Sequence, residues 1–405
     1  MHGKLIRYFR RAKKMTQEDL SQGICSVSHL SKIENGTKEV NDETLTLLFS
    51  RLDVDFSDLK TDLAENQILI EELDRFIIFQ DKERAETTFD NLCEKEKLFL
   101  SSTFIHRFLL IKYRYYLFND NLVECSKIKE TLEDHYKILN LSEMKTLEFF
   151  NGIYYLKSGL LEDSFRLLHN CLESESLQQE DLYYYLALVS GKLNKLGYAI
   201  TYAIKALDVF QKSFNTTRTL HVHMLLGILY TQINVPTEAF YHLNTVLFKA
   251  TYFKKEELLV SVHHNLGLLY KGQEEYKLAL RQFTLSQKIA EQMEINSVST
   301  LYEIVNIHLL QDENEKGLFF INQGLKYAEE ASSIDYRIKF TMHSLVLSGQ
   351  EKKLAKYVEK VALPHYIKNE NNEKKIYCYK LLITHNKNIN DKKFTFYTEE
   401  LLKVI

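Results

Sequence analysis

Residues 16–36 read TQEDLSQGICSVSHLSKIENG, and this stretch predicts two short helices around a tight turn. Thr16 precedes the first apolar position and can cap a helix, with Asp19 as its capping-box partner. Gly23 stands where that helix must end and the chain must turn, and Ser26 can cap the next helix. The pattern is that of a helix-turn-helix.

Apolar residues at helical spacing mark the buried sides of these two helices. Leu20 and Ile24 are four residues apart and Leu30 and Ile33 are three apart, so each pair shares one face. A helix-turn-helix inserts its second helix into the major groove of DNA and braces it with the first. The outward face of the second helix therefore holds the candidates for reading bases, which are Val27, Ser28 and Lys32, with His29 at its edge.

The first fourteen residues carry six basic side chains and no acidic ones. The six are Lys4, Arg7, Arg10, Arg11, Lys13 and Lys14. Such a cluster predicts a surface that faces phosphate groups. Taken singly, the two-helix pattern also fits a plain helical hairpin and the basic cluster a solvated face, but their combination favours DNA binding.

The full string resembles the Xre/Cro class of helix-turn-helix domains through Thr16-Gln17, Leu20, Leu30, Ile33-Glu34 and Gly36. The resemblance implies that Gln17 and Asn35 contact phosphates. The spacing from Gln17 to Glu34 is one residue shorter than in the commonest Xre pattern and is similar to the PlcR branch. The predicted DNA-binding residues are Arg10, Arg11, Gln17, Val27, Ser28, His29, Lys32 and Asn35.

Low proline and glycine contents favour an all-α fold for the whole chain. Its 405 residues include two prolines and thirteen glycines, and 45% are hydrophobic, which excludes global disorder. Residues 1–40 hold eight Lys or Arg against four Asp or Glu, so the net charge of −3 leaves −7 for residues 41–405. We expect the basic end to face nucleic acid and the acidic remainder not to.

Cysteine usage and hydropathy predict the compartment. The five cysteines are irregularly spaced without a Cys-x-x-Cys pair, which indicates neither a disulfide framework nor a zinc site. The basic N-terminus is not followed by an apolar segment of signal-peptide length, and eighteen apolar residues never run together. The sequence predicts a cytoplasmic protein that does not span a membrane.

A motif recurs every 40 residues in the C-terminal part of the chain. Its two clearest copies are Gly227, Tyr230 and Ala239, then Gly267, Tyr270 and Ala279. Each copy predicts a pair of amphipathic helices, with a small residue where the helices approach closely and an aromatic residue beside it. The pattern resembles the tetratricopeptide repeat (TPR), whose usual period is 34, so the extra residues must lengthen helices or loops.

These signals predict an all-α architecture in three parts. An Xre/Cro-type helix-turn-helix domain occupies residues 1–62, a stiff linker helix residues 63–80, and a TPR-like helical-repeat superhelix residues 81–405. The first helix of each pair lines the concave face, which suits an extended peptide.

Polar side chains on those first helices are candidates for binding a peptide backbone, because an Asn or Gln side chain can donate and accept together. Gly267 and Val305 occupy corresponding positions in successive repeats and align their first helices. On this alignment the candidates are His264, Asn265, Lys271, Tyr302 and Asn306, and in other repeats Tyr184, Lys192 and Gln232. A capping or solvated role for each Asn, and helix packing for most of the 25 tyrosines, are alternatives that the sequence leaves open.

The histidines do not fit a zinc helix. His221 and His223 are two residues apart and His263 and His264 are adjacent, whereas His-Glu-x-x-His requires a spacing of four. The sequence also lacks a phosphate-binding loop, a dinucleotide-binding turn and a nucleophile elbow. It therefore predicts a protein without enzymatic activity, cofactor or metal.

Together, the two parts of the chain resemble the Rap/NprR/PlcR/PrgX family of peptide-responsive regulators of Gram-positive bacteria. The resemblance implies a transcriptional regulator in quorum sensing: a homodimer that binds a pseudo-palindromic operator in double-stranded DNA and takes a short signalling peptide into its repeat groove. Two alternatives stay open, a repeat module that sequesters a response regulator and a peptide-independent dimeric repressor.

Overall fold

The computed structural model describes residues 3–38, 40–96, 99, 105–173, 179–369, 371–387 and 389–405. Within these ranges the secondary structure is helical and no strand occurs. The chain divides into two compact units, Met1–Leu229 and Tyr230–Ile405. The predicted all-α class is confirmed.

Five helices form the N-terminal part of the first unit. They are α1 (Gly3–Ala12), α2 (Gln17–Ser21), α3 (Val27–Glu34), α4 (Asp42–Arg51) and α5 (Phe56–Ile78). The first four enclose a small apolar core in which Leu5, Leu20, Leu30 and Phe49 are fully or almost fully buried.

The linker helix predicted over residues 63–80 belongs to the longer helix α5, which begins at Phe56. The predicted limit at residue 62 therefore falls inside a helix. Towards its C-terminal end, α5 packs Leu73 and Ile77 into an apolar core shared with the next helices. The Nδ2 of buried Asn215 donates a hydrogen bond to the carbonyl of Ile78, 3.0 Å away. The C-terminal part of α5 therefore packs as part of the repeat array, because the helices that follow it bury its apolar side chains.

Helical hairpins follow α5 in the first unit. They comprise α6 (Lys82–Glu94), α7 (Ile105–Phe118), α8 (Leu122–Asp134), α9 (Leu141–Lys157), α10 (Leu161–Asn170), α11 (Gln179–Lys192), α12 (Leu196–Lys212) and α13 (Thr216–Gln232), which crosses into the second unit. Short 3₁₀ turns lie at Tyr136–Ile138 and Cys171–Glu173.

The second unit is also helical. Its helices are α14 (Pro236–Tyr252), α15 (Glu256–Gly272), α16 (Tyr276–Gln292), α17 (Val298–Leu310), α18 (Asn314–Glu330), α19 (Ile334–Leu347), α20 (Glu351–Tyr357), α21 (Leu363–Lys368), α22 (Asn372–Asn386) and α23 (Asp391–Leu402). A π-helical stretch, Val358–Ala362, joins α20 to α21.

The 40-residue period consists of two 17-residue helices and two three-residue connections, as α14, α15 and α16 show. Each connection places its middle residue at positive φ, 56° at Asn234, 52° at Lys254 and 62° at Glu274. The next backbone N–H then donates back to a carbonyl of the last helical turn, as Val235 does to Tyr230 at 2.9 Å. The additional residues relative to a 34-residue repeat therefore lie in the helices, and the connections stay short.

The close helix approach predicted at Gly267 is confirmed. A Cβ atom added to Gly267 would lie 2.5 Å from the ring of Phe283, which is fully buried on α16. Phe283 thus occupies the space that the missing side chain leaves, as the repeat pattern requires.

Candidate functional sites

The ends of α2 and α3 are held by the predicted caps. The Thr16 side chain accepts a hydrogen bond from the Asp19 N–H, and the Thr16 N–H donates to the Asp19 carboxylate, at 3.1 Å and 2.8 Å. The Ser26 hydroxyl accepts from the His29 N–H at the start of α3. Gly23, between the helices, has φ +71°, a conformation that glycine adopts without strain. The helix-turn-helix prediction is confirmed in detail.

A buried ion pair joins α1 to the end of α3. Arg10 Nε and Nη2 donate to the two carboxylate oxygens of Glu34 at 2.7 Å and 2.8 Å. Gln17 Nε2 at the start of α2 also donates to Glu34, at 2.8 Å, and Arg10 Nη1 donates to the Met15 carbonyl. One carboxylate therefore ties together the three helices of the motif.

This pair corrects one prediction. Arg10 was expected to face a phosphate, but it is only 9% exposed, and Glu34 and Met15 occupy its guanidinium. The helical turn that buries Ile6 carries the residue four positions later inward as well. Arg10 has a positioning role in the structure and does not present its charge to solvent.

The predicted reading face of α3 is open to solvent. Val27 is 43% exposed, Ser28, Lys32 and Asn35 are exposed, and His29 is half-buried. Beside it, a groove of about 660 Å³ runs between α1 and the end of α3. Its lining includes Lys4, Arg7, Arg11 and Asn35. Exposed polar side chains and a basic groove thus lie side by side, which suits an anionic partner.

Four of the predicted peptide-binding residues gather around Glu303 in the second unit. Lys271 Nζ lies 2.5 Å from Glu303 Oε2, and Asn306 Nδ2 donates to the same oxygen at 3.5 Å. His264 Nδ1 lies 3.0 Å from the Thr300 hydroxyl, and Tyr302 is the residue before Glu303. Glu303 was not predicted, and its signal in the sequence is its position between two predicted residues, Tyr302 and Asn306.

Tyr302 stands in an aromatic cluster with Tyr336, Phe340 and His343 on α19, at ring distances of 5.4–5.9 Å. Lys339 Nζ lies 5.3 Å from the centre of the Tyr302 ring. Burial raises the pKa of Tyr302 to about 12, and burial lowers the pKa of His264 although Glu303 opposes the shift. The surface at pH 7 therefore presents neutral rings with donor and acceptor atoms beside two ion pairs, Lys271–Glu303 and Lys339–Asp335.

The other peptide-binding candidates lie elsewhere. Asn265 is half-buried and its Nδ2 donates to the Ser261 carbonyl of its own helix at 2.9 Å. Gln232 and Lys192 are exposed at the ends of α13 and α11. Tyr184 belongs to the first unit, where the Arg218 guanidinium lies 4.8 Å from its ring centre. The eight candidates are thus four clustered residues and four separate ones.

A buried chain of charges ties α5 to the repeat helices of the first unit. Arg114 on α7 contacts Asp74 on α5 and donates to Asp181 on α11 at 2.9 Å. Asp181 in turn lies 3.1 Å from Arg218 on α13. Asp74, Arg114 and Asp181 also line a pocket of about 680 Å³. Four alternating charges thus connect four helices that are far apart in sequence.

None of the described helices is long and apolar enough to cross a membrane. Within the same part of the chain, no three His, Cys, Asp or Glu side chains are arranged to hold a metal ion.

Comparison with known proteins agrees with both halves of this description. Residues 6–59 match the helix-turn-helix family model. Along most of its length the chain is similar to the transcriptional activator NprA of Geobacillus stearothermophilus, with 25% identity over 373 residues that cover 86% of this chain and 89% of NprA.

Solved structures share the fold. The apo form of the quorum sensor NprR from B. thuringiensis has a TM-score of 0.71 at 19% identity, covering 85% of this chain and 99% of NprR. NprR in complex with its cognate peptide NprX has a TM-score of 0.66 at 19% identity, with 84% and 98% covered. A Rap protein complexed with Competence and Sporulation Factor gives 0.69 at 16% identity, with 84% and 98% covered. This chain therefore combines a helix-turn-helix domain with the helical-repeat fold of the NprR and Rap structures.

Proposed function

We propose that this chain is a cytoplasmic, DNA-binding transcriptional regulator without enzymatic activity, and that a short signalling peptide bound to its helical repeats controls it. The observation that carries the proposal is the helix-turn-helix itself. The Arg10–Glu34–Gln17 contacts hold α1, α2 and α3 rigidly, while α3 turns Val27, Ser28 and Lys32 to solvent. A rigid helix with an exposed polar face beside a basic groove fits the major groove of DNA.

Dimerisation belongs to the same proposal. Two copies of α3 would read a pseudo-palindromic operator whose half-sites lie about one helical turn, roughly 34 Å, apart. Homodimerisation therefore converts one short recognition helix into a reader of a longer site.

The peptide part of the proposal rests on the Glu303 surface and on the NprR structure that contains a peptide. Asn306, Tyr302, Lys271 and His264 bring donors, acceptors and an aromatic face to one place. An extended peptide has unpaired backbone groups that such side chains can satisfy. Binding can change DNA affinity only through a difference in peptide affinity between two states of the regulator, typically about 1–3 kcal/mol.

Lys32→Ala tests the reading face. We expect DNA affinity to fall about 5- to 150-fold on the preferred site, the effect of losing one base contact, and sequence preference to relax at one position. Arg11→Ala should weaken binding to all DNA sequences about equally. It should also reduce the number of counterions released on binding by about one, which lowers the salt dependence of the affinity. Binding is measured on genomic fragments selected by the purified full chain, with exposed Lys288→Ala on α16 as the control. Unchanged affinity and preference in Lys32→Ala would mean that α3 is not the reading element.

Asn306→Ala tests the peptide surface. Short peptides are screened for any that shift the affinity of the full chain for its selected DNA. We expect such a peptide to bind Asn306→Ala about 3- to 10-fold more weakly, since a hydrogen bond contributes about 0.5–1.5 kcal/mol net. Exposed Asn314→Ala on α18 serves as the matched control. If no peptide shifts DNA binding, the sensor proposal fails, and if both variants respond equally, the ligand binds elsewhere.

A further inference from the structure

One outer face of α14 is built from large aromatic residues. Tyr241, Phe248 and Tyr252 are 62%, 74% and 75% exposed. Their spacing of seven and four residues places them in one row along the helix. Exposed apolar residues scattered singly are ordinary, but a continuous row marks an interaction surface.

The repeat itself shows that the fold does not need these rings. The next repeat unit holds Arg281, Lys288 and Gln292, 40 residues later, at the equivalent positions of α16, where all three are exposed. Helices α14 and α16 have the same length and the same kind of connections. The aromatic row is therefore a property of α14 that packing within the array does not explain.

The charges beside the row favour a second copy of the same helix in antiparallel orientation. Glu238 lies in the first turn of α14 and Lys249 in its last turn. With a two-fold axis near Thr245, Glu238 of one copy lies within one helical turn of Lys249 of the other copy. Lys249 of each copy then faces the ring of Tyr241 of the other. Such a pairing is isologous, so every favourable contact occurs twice.

The available area is of the right order. An aromatic side chain buries about 150–250 Å², so three rings at these exposures supply about 400 Å² per copy and about 800 Å² for the pair. Flanking side chains such as Asn244, Thr251 and Phe253, which is 49% exposed, enlarge the surface towards the roughly 1,200 Å² of a stable interface.

We propose that the aromatic face of α14, formed by Tyr241, Phe248 and Tyr252 with Glu238 and Lys249, is the interface of the homodimer. The partner is a second copy of this chain, with the two α14 helices antiparallel about a two-fold axis near Thr245. The proposal rests on the proposed function, which requires two recognition helices on one operator.

The test removes the apolar row without touching the core. In the full chain, Phe248→Asp with Tyr252→Asp is expected to raise the dimer dissociation constant at least 100-fold, because buried aromatic anchors carry most of an interface's energy. Sedimentation equilibrium over a range of concentrations measures it. Phe214→Asp, at an 87% exposed ring of the first unit, is the matched control and should leave the constant unchanged.

A second variant keeps the test decisive if the double variant misfolds. Thr245→Cys at the axis is expected to give a disulfide-linked dimer under mild oxidation, while the wild type and Leu278→Cys, a partly exposed site on α16, do not.

A wild-type chain that stays monomeric at about 100 µM, a double variant that dimerises normally, or a Thr245→Cys chain that does not cross-link would each overturn the interface. Wild-type dimers that bind DNA while ignoring these changes would leave the proposed function standing. Dimers that the changes dissociate but that bind no DNA would refute the function alone.

Discussion

Glu34→Ala is expected to unfold the helix-turn-helix part of the chain before the repeats. The change leaves Arg10 buried without its carboxylate and releases Gln17, so three contacts are lost and one charge stays desolvated. Breaking a buried ion pair by removing one partner costs about 3–5 kcal/mol. A small core enclosed by four helices has little more stability than this to lose. We expect hydrogen-exchange protection in α1 to α4 to collapse and DNA binding to disappear at 25 °C.

The exposed pair Lys13–Asp53 provides the control for this prediction. Both residues lie in the same domain, and the Asp53 side chain is 85% exposed. Asp53→Asn should change stability by less than about 1 kcal/mol, since solvent screens such pairs. Asn also tolerates the positive φ of 53° found at that position. Equal losses of protection in Glu34→Ala and Asp53→Asn would show that the buried pair does not hold the domain.

Acid provides an independent check on the same pair. Burial alone would raise the pKa of Glu34, but hydrogen bonds from Arg10 and Gln17 outweigh it and hold that pKa below its usual value of 4.5. A depressed carboxyl pKa contributes stability above its unfolded value, and this stability is lost as the pH falls through the folded value. Unfolding of α1 to α4 should therefore become easier below about pH 4.5 in the wild type, and this pH dependence should weaken in Glu34→Gln.

Local signals made the helix-turn-helix predictable. Thr16, Ser26 and Gly23 act within three residues of their own positions, through caps and a turn that sequence spacing reveals. The burial of the Arg10 side chain was not predicted, because its partner Glu34 lies 24 residues away in the sequence. A basic residue in a basic segment resembles its exposed neighbours until the partner is known.

The repeats were predictable as a period but not in their boundaries. Asn234, Lys254 and Glu274 turn the chain at positive φ without glycine, so the usual mark of a helix end is missing there. The start of α5 at Phe56 was missed for a related reason, since no glycine or proline separates it from residue 63. Glu303, Asp74 and Asp181 were missed because their importance comes from tertiary contacts with Lys271, Arg114 and Arg218.

Arg114→Met is the second change for which we expect a large effect. Arg114 is the cation between Asp74 and Asp181, so its loss removes the ion pair of Asp74 and leaves Asp181 with Arg218 among the described residues. The expected cost is about 3–5 kcal/mol of unfolding free energy in the first unit, measured by urea denaturation of the full chain. Lys212→Met, at an exposed pair with Asp208, should cost less than about 1 kcal/mol.

The pH dependence of the variant separates a charge effect from a packing effect. Burial already raises the pKa of Asp74, and Arg114 is the main influence that opposes this shift. Without Arg114 the folded-state pKa rises further, so the deficit should be full at neutral pH and shrink as the pH falls and Asp74 takes up a proton. Arg114→Met combined with Asp74→Leu should recover stability at pH 7, because the carboxylate that Arg114 neutralises at position 74 is then removed as well. If the loss in Arg114→Met is independent of pH and the second change recovers nothing, the guanidinium acts through its volume. The attachment of α5 to the repeats would then not depend on these charges.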